Sequence, residues 1–396
     1  MDIDQPIQLL AGLTPQAFMR NYWQRKPLLI RQAIPGFKPS LSVNDIRKLV
    51  ARDEVESRLI WKDEAGWHMK QGPFKRLPAA HRPGWTALAQ SVDVHDDGIA
   101  ELLHRFRFIS DARLDDAMIS IAGDGGGVGP HFDSYDVFLL QAHGQRRWRI
   151  SQQKDLSLQS GLPLKILQNF QHEEEYTLEA GDLLYLPPHV AHDGVAVGNN
   201  CMTISIGFRA PTLAVLARGM LEAAADQLMA RNGHDGGLYG GSPLSGPLLA
   251  ETFKDRGQAA TTTPALLPDS MLDAALNAVN KIRFDQPLAA RFMGLWLTEP
   301  SRAALFASPE NMLDLAADFP RSGWLRLDRC SRMMYRKKEL YINGELAAAP
   351  ASASLRKLAD ERQLRCTPAL STRLTAIEID MLEQWLDDGW LHHQAE

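Results

Sequence analysis

The sequence predicts a mixed α+β protein: a sheet-rich barrel or sandwich at the centre, with helical stretches before and after it. Three observations carry this. From Ala117 to Phe208 the chain breaks into short apolar runs rich in β-branched and aromatic residues, separated by turn-forming residues. On both sides of that stretch the apolar period is helical. At 396 residues the chain is also long enough for two or three domains with their own cores.

TPQAFMRNYWQR at 14–25 reads as a helix capped by Thr14, with Pro15 in its first position and Phe18, Tyr22 and Trp23 on one face. PLLIRQA at 27–33 reads as a strand, and residues 42–55 and 84–104 read as helices. The central strands are AMISIA, YDVFLLQ, RRWRIS, EYTLE, DLLYLP, GVAV and MTISIGF, with turns at GQ, EAGD, PPH and GNN. After Pro211 the helical period returns in TLAVLARGMLEAAADQLMAR. Residues 232–270, rich in Gly, Ser, Thr and Pro, read as a connection or lid, and 271–297 as helix. RMMYRKKELYINGEL reads as a hairpin turning at Asn343-Gly344, followed by helices near 352–364 and 374–391. Helix, hairpin and helix of this size suggest a small winged-helix-like domain. The expected boundaries are therefore 1–210, 211–297 and 298–396. A winged helix can contact nucleic acid, but a scaffold or partner surface is the expected role here.

Composition narrows the function. A net charge of −5 argues against a generic polyanion binder, while leaving a local charged groove open. Cys201, Cys330 and Cys366 have no paired spacing, which argues against a disulfide scaffold or a thiolate zinc site and suits a reducing cytoplasm. MDIDQPIQLLAG lacks a basic n-region and a long apolar core, so no secretory signal is expected. No apolar run approaches the roughly 18–20 residues needed to cross a bilayer.

The chemistry concentrates in GDGGGVGPHFDSYDVFLLQAHGQRRWRI, residues 123–150. In a strand, side chains alternate faces, so His131 and Asp133 would point the same way and Phe132 into packing. A second imidazole, His192 in LYLPPHVAHDG, would come from another strand and complete two nitrogens and one carboxylate, the ligand set of non-haem Fe(II) oxygenases. A lone His-x-Asp usually means nothing. What raises it here is the glycine run before it, which lets backbone approach closely, and the second histidine after a strand and a Pro-Pro turn. A closed zinc site would want a fourth ligand, usually cysteine. The glycine run is not a phosphate loop, because no Gly-Lys-Ser/Thr follows it. Among the other histidines, His189 belongs on the turn, His143 in the AHGQ loop near the site mouth, His172 in solvent and His392-His393 in the tail. In Arg146-Arg147-Trp148-Arg149-Ile150, period two puts Arg146 on the apolar face with Trp148 and Ile150. A buried guanidinium needs an anion: either an internal carboxylate or the far end of a dicarboxylate co-substrate.

Together these residues resemble the Jumonji-C oxygenases of the cupin superfamily, closest to the bacterial ribosomal-oxygenase branch of YcfD-like arginine hydroxylases. The matching text is FMRNYWQRKPLLIRQA, GGGVGPHFDSYDVFLLQAHGQRRWRI, and GDLLYLPPHVAH followed by SIGFRAP, within about residues 10–212. The resemblance implies a double-stranded β-helix with Fe(II) on His131, Asp133 and His192, and with 2-oxoglutarate and O2 as co-substrates. Arg146 would bind the far carboxylate of 2-oxoglutarate, and Ser120 could also contact it. The resemblance further implies a homodimer formed by the helical segment, and a large-subunit ribosomal protein hydroxylated on an arginine β-carbon. A cationic substrate would want an acidic or aromatic pocket near the iron, for which Asp124, Tyr135 and Ser205 are the candidates by position. Three alternatives remain open: a histidine hydroxylase of a ribosomal protein; a zinc or manganese isomerase or hydrolase using the same ligands; and a non-catalytic ribosome-assembly module.

Overall fold

The computed structural model describes residues 2–233, 242–309 and 313–395. By internal contacts the chain divides into two units, Met1–Ala210 with Ser301–Leu305, and Pro211–Pro300 with Phe306–Glu396.

The first unit opens with α1 (Pro15–Asn21), where the Thr14 hydroxyl accepts the Ala17 amide. Then come β1 (Leu28–Ile30) and α2 (Val43–Leu49), the latter started by a Ser42–Asp45 capping box. They are followed by β2 (Ser57–Asp63), β3 (Gly66–Gln71), β4 (Trp85–Ala89), α3 (Asp97–His104), β5 (Leu114–Ala122), β6 (Val137–Ser151), β7 (Glu174–Leu178), β8 (Leu183–Leu186) and β9 (Ala191–Phe208). The strands bond in the order β1-β8-β6-β9-β5-β4-β2-β3, with β7 added to β6.

Three expectations are corrected. The helix expected over 84–104 is strand β4 and, after a short turn, α3. All five residues of β4 are buried, and a run buried on both faces carries no period to separate strand from helix. The helix expected over 42–55 ends at Leu49. The GQ and GNN turns are not turns: YDVFLLQ and RRWRIS are the single strand β6, and GVAV and MTISIGF are the single strand β9. These glycines mark bulges. Register between β6 and β9 shifts on either side of His143, and Gly144, Gly198 and Asn200 adopt positive φ there.

The two faces of this sheet bury different cores. Ile119, Ile121, Phe138, Leu140, Ile204 and Ile206 pack with Phe18, Ile46, Leu102 and Phe106 from the helices. The other face holds Val137, Leu139, Trp148, Ile150, Leu178, Leu184, Leu186 and Val190. By alternation and cross-strand register, Ser120, Arg146, His192, Thr203 and Ser205 lie on this second face. The site is thus built on the inside of the wrapped sheet.

The second unit contains α4 (Leu213–Arg231), α5 (Asp269–Asn280), α6 (Gln286–Thr298), β10 (Trp324–Leu327), β11 (Met333–Arg336), β12 (Glu339–Ile342), β13 (Glu345–Leu346), α7 (Ala353–Glu361), β14 (Gln363–Arg365), α8 (Pro368–Ser371), α9 (Ala376–Asp387) and β15 (Leu391–Gln394). The helix expected over 271–297 is two helices, divided where Asp285 caps the Leu288 amide and a proline enters the first turn of α6. The hairpin is a three-stranded meander. Asn343-Gly344 turns β12 into β13, both at positive φ, and a further tight turn falls at Lys337, also at positive φ. Lysine rarely adopts that conformation, so nothing in the sequence announced the turn. Leu325, Leu340, Leu355, Leu358, Leu382 and Leu391 form the core of this unit. Of the Gly-rich 232–270 stretch, 234–241 lie outside the described residues, and 242–268 form neither helix nor strand. No helix among the described residues is long and apolar enough to cross a membrane.

Candidate active site

The glycine run after β5 explains how the two imidazoles meet. It travels back along β9: the Gly125 amide bonds the Ala196 carbonyl, and the Ala196 amide bonds the Gly126 carbonyl. Only glycine can pass this closely, since a Cβ on Gly127 would stand 2.6 Å from the Gly194 oxygen. The run ends with His131 directly opposite His192, the two exchanging backbone hydrogen bonds of 2.9 and 2.7 Å. Asp133 is not in a strand, so period-two alternation does not place it. Instead its carbonyl accepts the amide of His189, which sits at positive φ on the Pro187-Pro188 turn, at 2.7 Å.

One donor atom from each of His131, Asp133 and His192 lies within 4.8 Å of the others. His192 Nε2 is 3.7 Å from Asp133 Oδ2, and the imidazole centroids are 4.2 Å apart. Each ring donates from Nδ1 to a backbone carbonyl, His131 to Gly129 and His192 to Val190, both at 2.9 Å. A carbonyl can only accept, so each neutral ring carries its proton on Nδ1 and its lone pair on Nε2. Burial, and then the facing His131, push the His192 pKa down to about 4, which keeps that lone pair free at neutral pH. Two imidazoles and one carboxylate, with no cysteine among them, suit a metal held on one face with open positions opposite.

Arg146 lies deep on the same face and is 4% exposed. Its Nε donates to Thr203 Oγ1 at 2.9 Å and one terminal nitrogen, Nη1, to the Gly194 carbonyl at 3.1 Å. The other, Nη2, is buried with no partner, and no carboxylate pairs with the guanidinium among the described residues. Of the two anions the sequence left open, the internal carboxylate is therefore not there. A buried cation with one unused donor fits the carboxylate of a co-substrate.

Ser120 is buried beside Thr203, with its hydroxyl 3.5 Å from the Thr203 carbonyl. Ser205 is buried two residues further along β9. Tyr135 is 38% exposed and its phenol bonds the Asp133 carboxylate; burial, then that carboxylate, raise its pKa. Asp124 goes elsewhere: exposed, it accepts the Gly198 amide at 2.7 Å and ties the glycine loop to the bulge of β9. His143 is not in a loop but in the bulge of β6, exposed, with Nδ1 bonded to the Asn200 carbonyl.

Sequence reasoning missed Asp116. It shares a strand face with Met118 and Ser120, and a Cβ on Gly207 would lie 3.5 Å from its Oδ1. Its Oδ2 accepts from Gln90 and from the Ser91 amide and hydroxyl, and its charge is felt by Tyr135. Burial, and then Asp115, raise its pKa. Alternation counted back from Ser120 was a readable signal for it.

A wrapped antiparallel sheet, an inward His-Asp-His set and a buried arginine lacking a counter-ion define a Jumonji-C oxygenase dependent on Fe(II) and 2-oxoglutarate. Comparison with known proteins agrees. Residues 101–216 match the JmjC domain and residues 281–392 the ROXA-like winged helix. Over 352 residues the chain is 30% identical to the ribosomal protein uL16 3-hydroxylase of Escherichia coli, covering 86% of this chain and 87% of that one. It is 28% identical over 408 residues to a probable ribosomal oxygenase of Haemophilus influenzae, covering 96% of each. The crystal structure of E. coli YcfD superposes with a TM-score of 0.76 at 26% identity, covering 96% of this chain and 98% of that one. The YcfD complex with cobalt and 2-oxoglutarate gives 0.74 at 26% identity, covering 97% and 99%. The chain belongs to the bacterial ribosomal oxygenases.

Proposed function

We propose that His131, Asp133 and His192 hold Fe(II), that Arg146 receives the distal carboxylate of 2-oxoglutarate with Ser120 beside it, and that the enzyme hydroxylates a residue of large-subunit ribosomal protein uL16, an arginine at its β-carbon. The observation that carries the reading is the pairing of a lone-pair-ready triad with a buried guanidinium that still has an unused donor. Bound there, iron and co-substrate supply oxygen activation coupled to loss of CO2; the chain's own residues bind, orient and exclude water. The Nδ1 bonds fix both imidazoles, and the same face of the sheet carries the apolar cluster of Trp148, Ile150, Leu184 and Leu186, which would help exclude water. At the mouth, Asp116 and Tyr135 offer a carboxylate and an aromatic ring to a cationic side chain, with Ser205 as a further polar contact. A carboxylate there favours arginine over neutral histidine.

Incubation with Fe(II), 2-oxoglutarate and a uL16 peptide should yield succinate and a peptide heavier by one oxygen atom in mass spectrometry. Succinate without a peptide product would reject the substrate. No turnover with any ribosomal peptide, with metal bound, would favour an isomerase or hydrolase.

The division into 1–210, 211–297 and 298–396 is kept as the functional one, with the middle segment joining two copies. Helix α5 supports this: it has no buried residue, and Met271, Leu272, Leu276 and Val279 are exposed along it. Light scattering should report a dimer, and Leu272→Asp with Leu276→Asp a monomer. Three buried cysteines held outside disulfides and a ribosomal substrate fit the cytoplasm.

A further inference from the structure

Beneath Arg146 lies a run of buried side chains that the reaction itself does not require. Thr203 accepts from Arg146 Nε at 2.9 Å and donates its one proton to Gln141 Oε1 at 2.9 Å. Gln141 is wholly buried in β6, Thr203 is 2% exposed and Arg146 4%. The Gln141 amide is itself held: its Nε2 donates to the His143 carbonyl at 2.9 Å and contacts Cys201 Sγ at 3.4 Å. Its backbone is fixed too, the amide on the Asp182 carbonyl and the carbonyl on the Gly181 amide.

The directions of these bonds are forced. Arginine can only donate, so Thr203 must accept from it, and the hydroxyl proton must then find another acceptor. Gln141 Oε1 is that acceptor. Two consequences follow. The Thr203 oxygen is held as an acceptor for Nε, which with the Gly194 carbonyl on Nη1 sets the plane of the guanidinium and leaves Nη2 unbonded. The acceptor supplied is also neutral: Arg146 meets a hydroxyl and a carbonyl rather than a carboxylate, so its charge stays uncompensated inside the fold. A carboxylate in place of Gln141 would put an internal anion one hydroxyl away.

We infer that Gln141 is a positioning residue for co-substrate binding: acting through Thr203, its neutral amide orients Arg146 and leaves that cation without an internal counter-ion, so that the ligand's carboxylate supplies it. This rests on the reading of Arg146 as the carboxylate anchor.

The test measures 2-oxoglutarate dissociation constants by calorimetry on the full chain loaded with Mn(II), with Mn(II) affinity measured separately. Gln141→Met removes the acceptor and should weaken 2-oxoglutarate three- to tenfold. Gln141→Glu adds the counter-ion and should weaken it more than tenfold. Mn(II) affinity should stay within twofold of wild type in both. Wild-type 2-oxoglutarate affinity in Gln141→Met overturns the inference, and that variant decides the matter alone if Gln141→Glu does not fold. Parallel losses of Mn(II) and 2-oxoglutarate binding overturn it as well, because they indicate general damage. Arg146→Gln separates the two levels. If it binds 2-oxoglutarate as wild type does, the anchor reading itself fails; if it loses binding while both Gln141 variants keep it, only the role of Gln141 fails.

Discussion

Replacing Arg146 by methionine should make the empty protein more stable and the enzyme worse. In the absence of a co-substrate, the guanidinium is buried, without a carboxylate partner among the described residues, and has Nη2 unbonded. An unsatisfied buried donor costs about 1–3 kcal/mol, and more on a charged group. Methionine fills much of the same volume without that cost. Thr203 keeps its bond to Gln141, so only weak acceptor capacity at Thr203 and Gly194 goes unused. A net gain of about 1 kcal/mol is expected in urea unfolding without ligand. Binding moves the other way. Removing one partner of a desolvated, hydrogen-bonded charge pair costs about 3–5 kcal/mol. At about 1.4 kcal/mol per decade, this weakens 2-oxoglutarate by roughly two to three and a half orders of magnitude. The two effects cross. Ligand at about a hundredfold excess over its dissociation constant stabilises wild type by about 2.7 kcal/mol and the variant hardly at all, so the order of stabilities should reverse. Urea melts of the Mn(II)-loaded proteins, with and without 2-oxoglutarate, read both arms. A variant less stable than wild type without ligand, or one binding 2-oxoglutarate within threefold of wild type, would refute the reasoning.

Further predictions follow from the same geometry. Asp116→Asn should weaken an arginine-containing peptide about tenfold in KM, as loss of one charge-assisted bond predicts, with 2-oxoglutarate affinity unchanged; peptide titration at saturating 2-oxoglutarate checks it. Gly194→Ala should destabilise by about 1–3 kcal/mol, because its Cβ would stand 2.5 Å from the Trp148 ring, which also packs on His192; denaturant unfolding measures it. Asp93 is buried with its Oδ1 on the Ala117 amide, and burial, then Asp116, raise its pKa from 3.8 to about 7. A raised carboxyl favours folding below the unfolded pKa, and that contribution is lost as pH rises through about 7. Asp93→Asn should therefore melt with wild type only below about pH 4, and increasingly above it as pH rises to about 7 and beyond.

Much of the site was legible because its residue types are chemically constrained. His131, Asp133 and His192 stood out as a donor set, Arg146 as a charge on an apolar face, and the glycine run as a place where backbone must pass close. The cap of α1 at Thr14 was equally local. What escaped was set by long-range pairing. Strand β4 looked helical because both of its faces are buried, and the bulges of β6 and β9 looked like turns because glycine signals either. Asp124 seemed to belong to the pocket because it precedes the triad, yet its carboxylate spans to Gly198; Asp116 was passed over and lies on the inner face.

The amino-acid order by itself determined which groups could bind a metal and an anion, where α1 starts, and that the middle of the chain is sheet, since donor chemistry, capping and strand propensity are properties of neighbouring residues. Only the folded structure decided that the glycine run lies along β9, so that His131 faces His192, and that Arg146 bonds Thr203 and Gly194 and, among the described residues, no carboxylate. Both depend on register between strands far apart in the chain, and a one-residue slip there would turn every inward side chain outward.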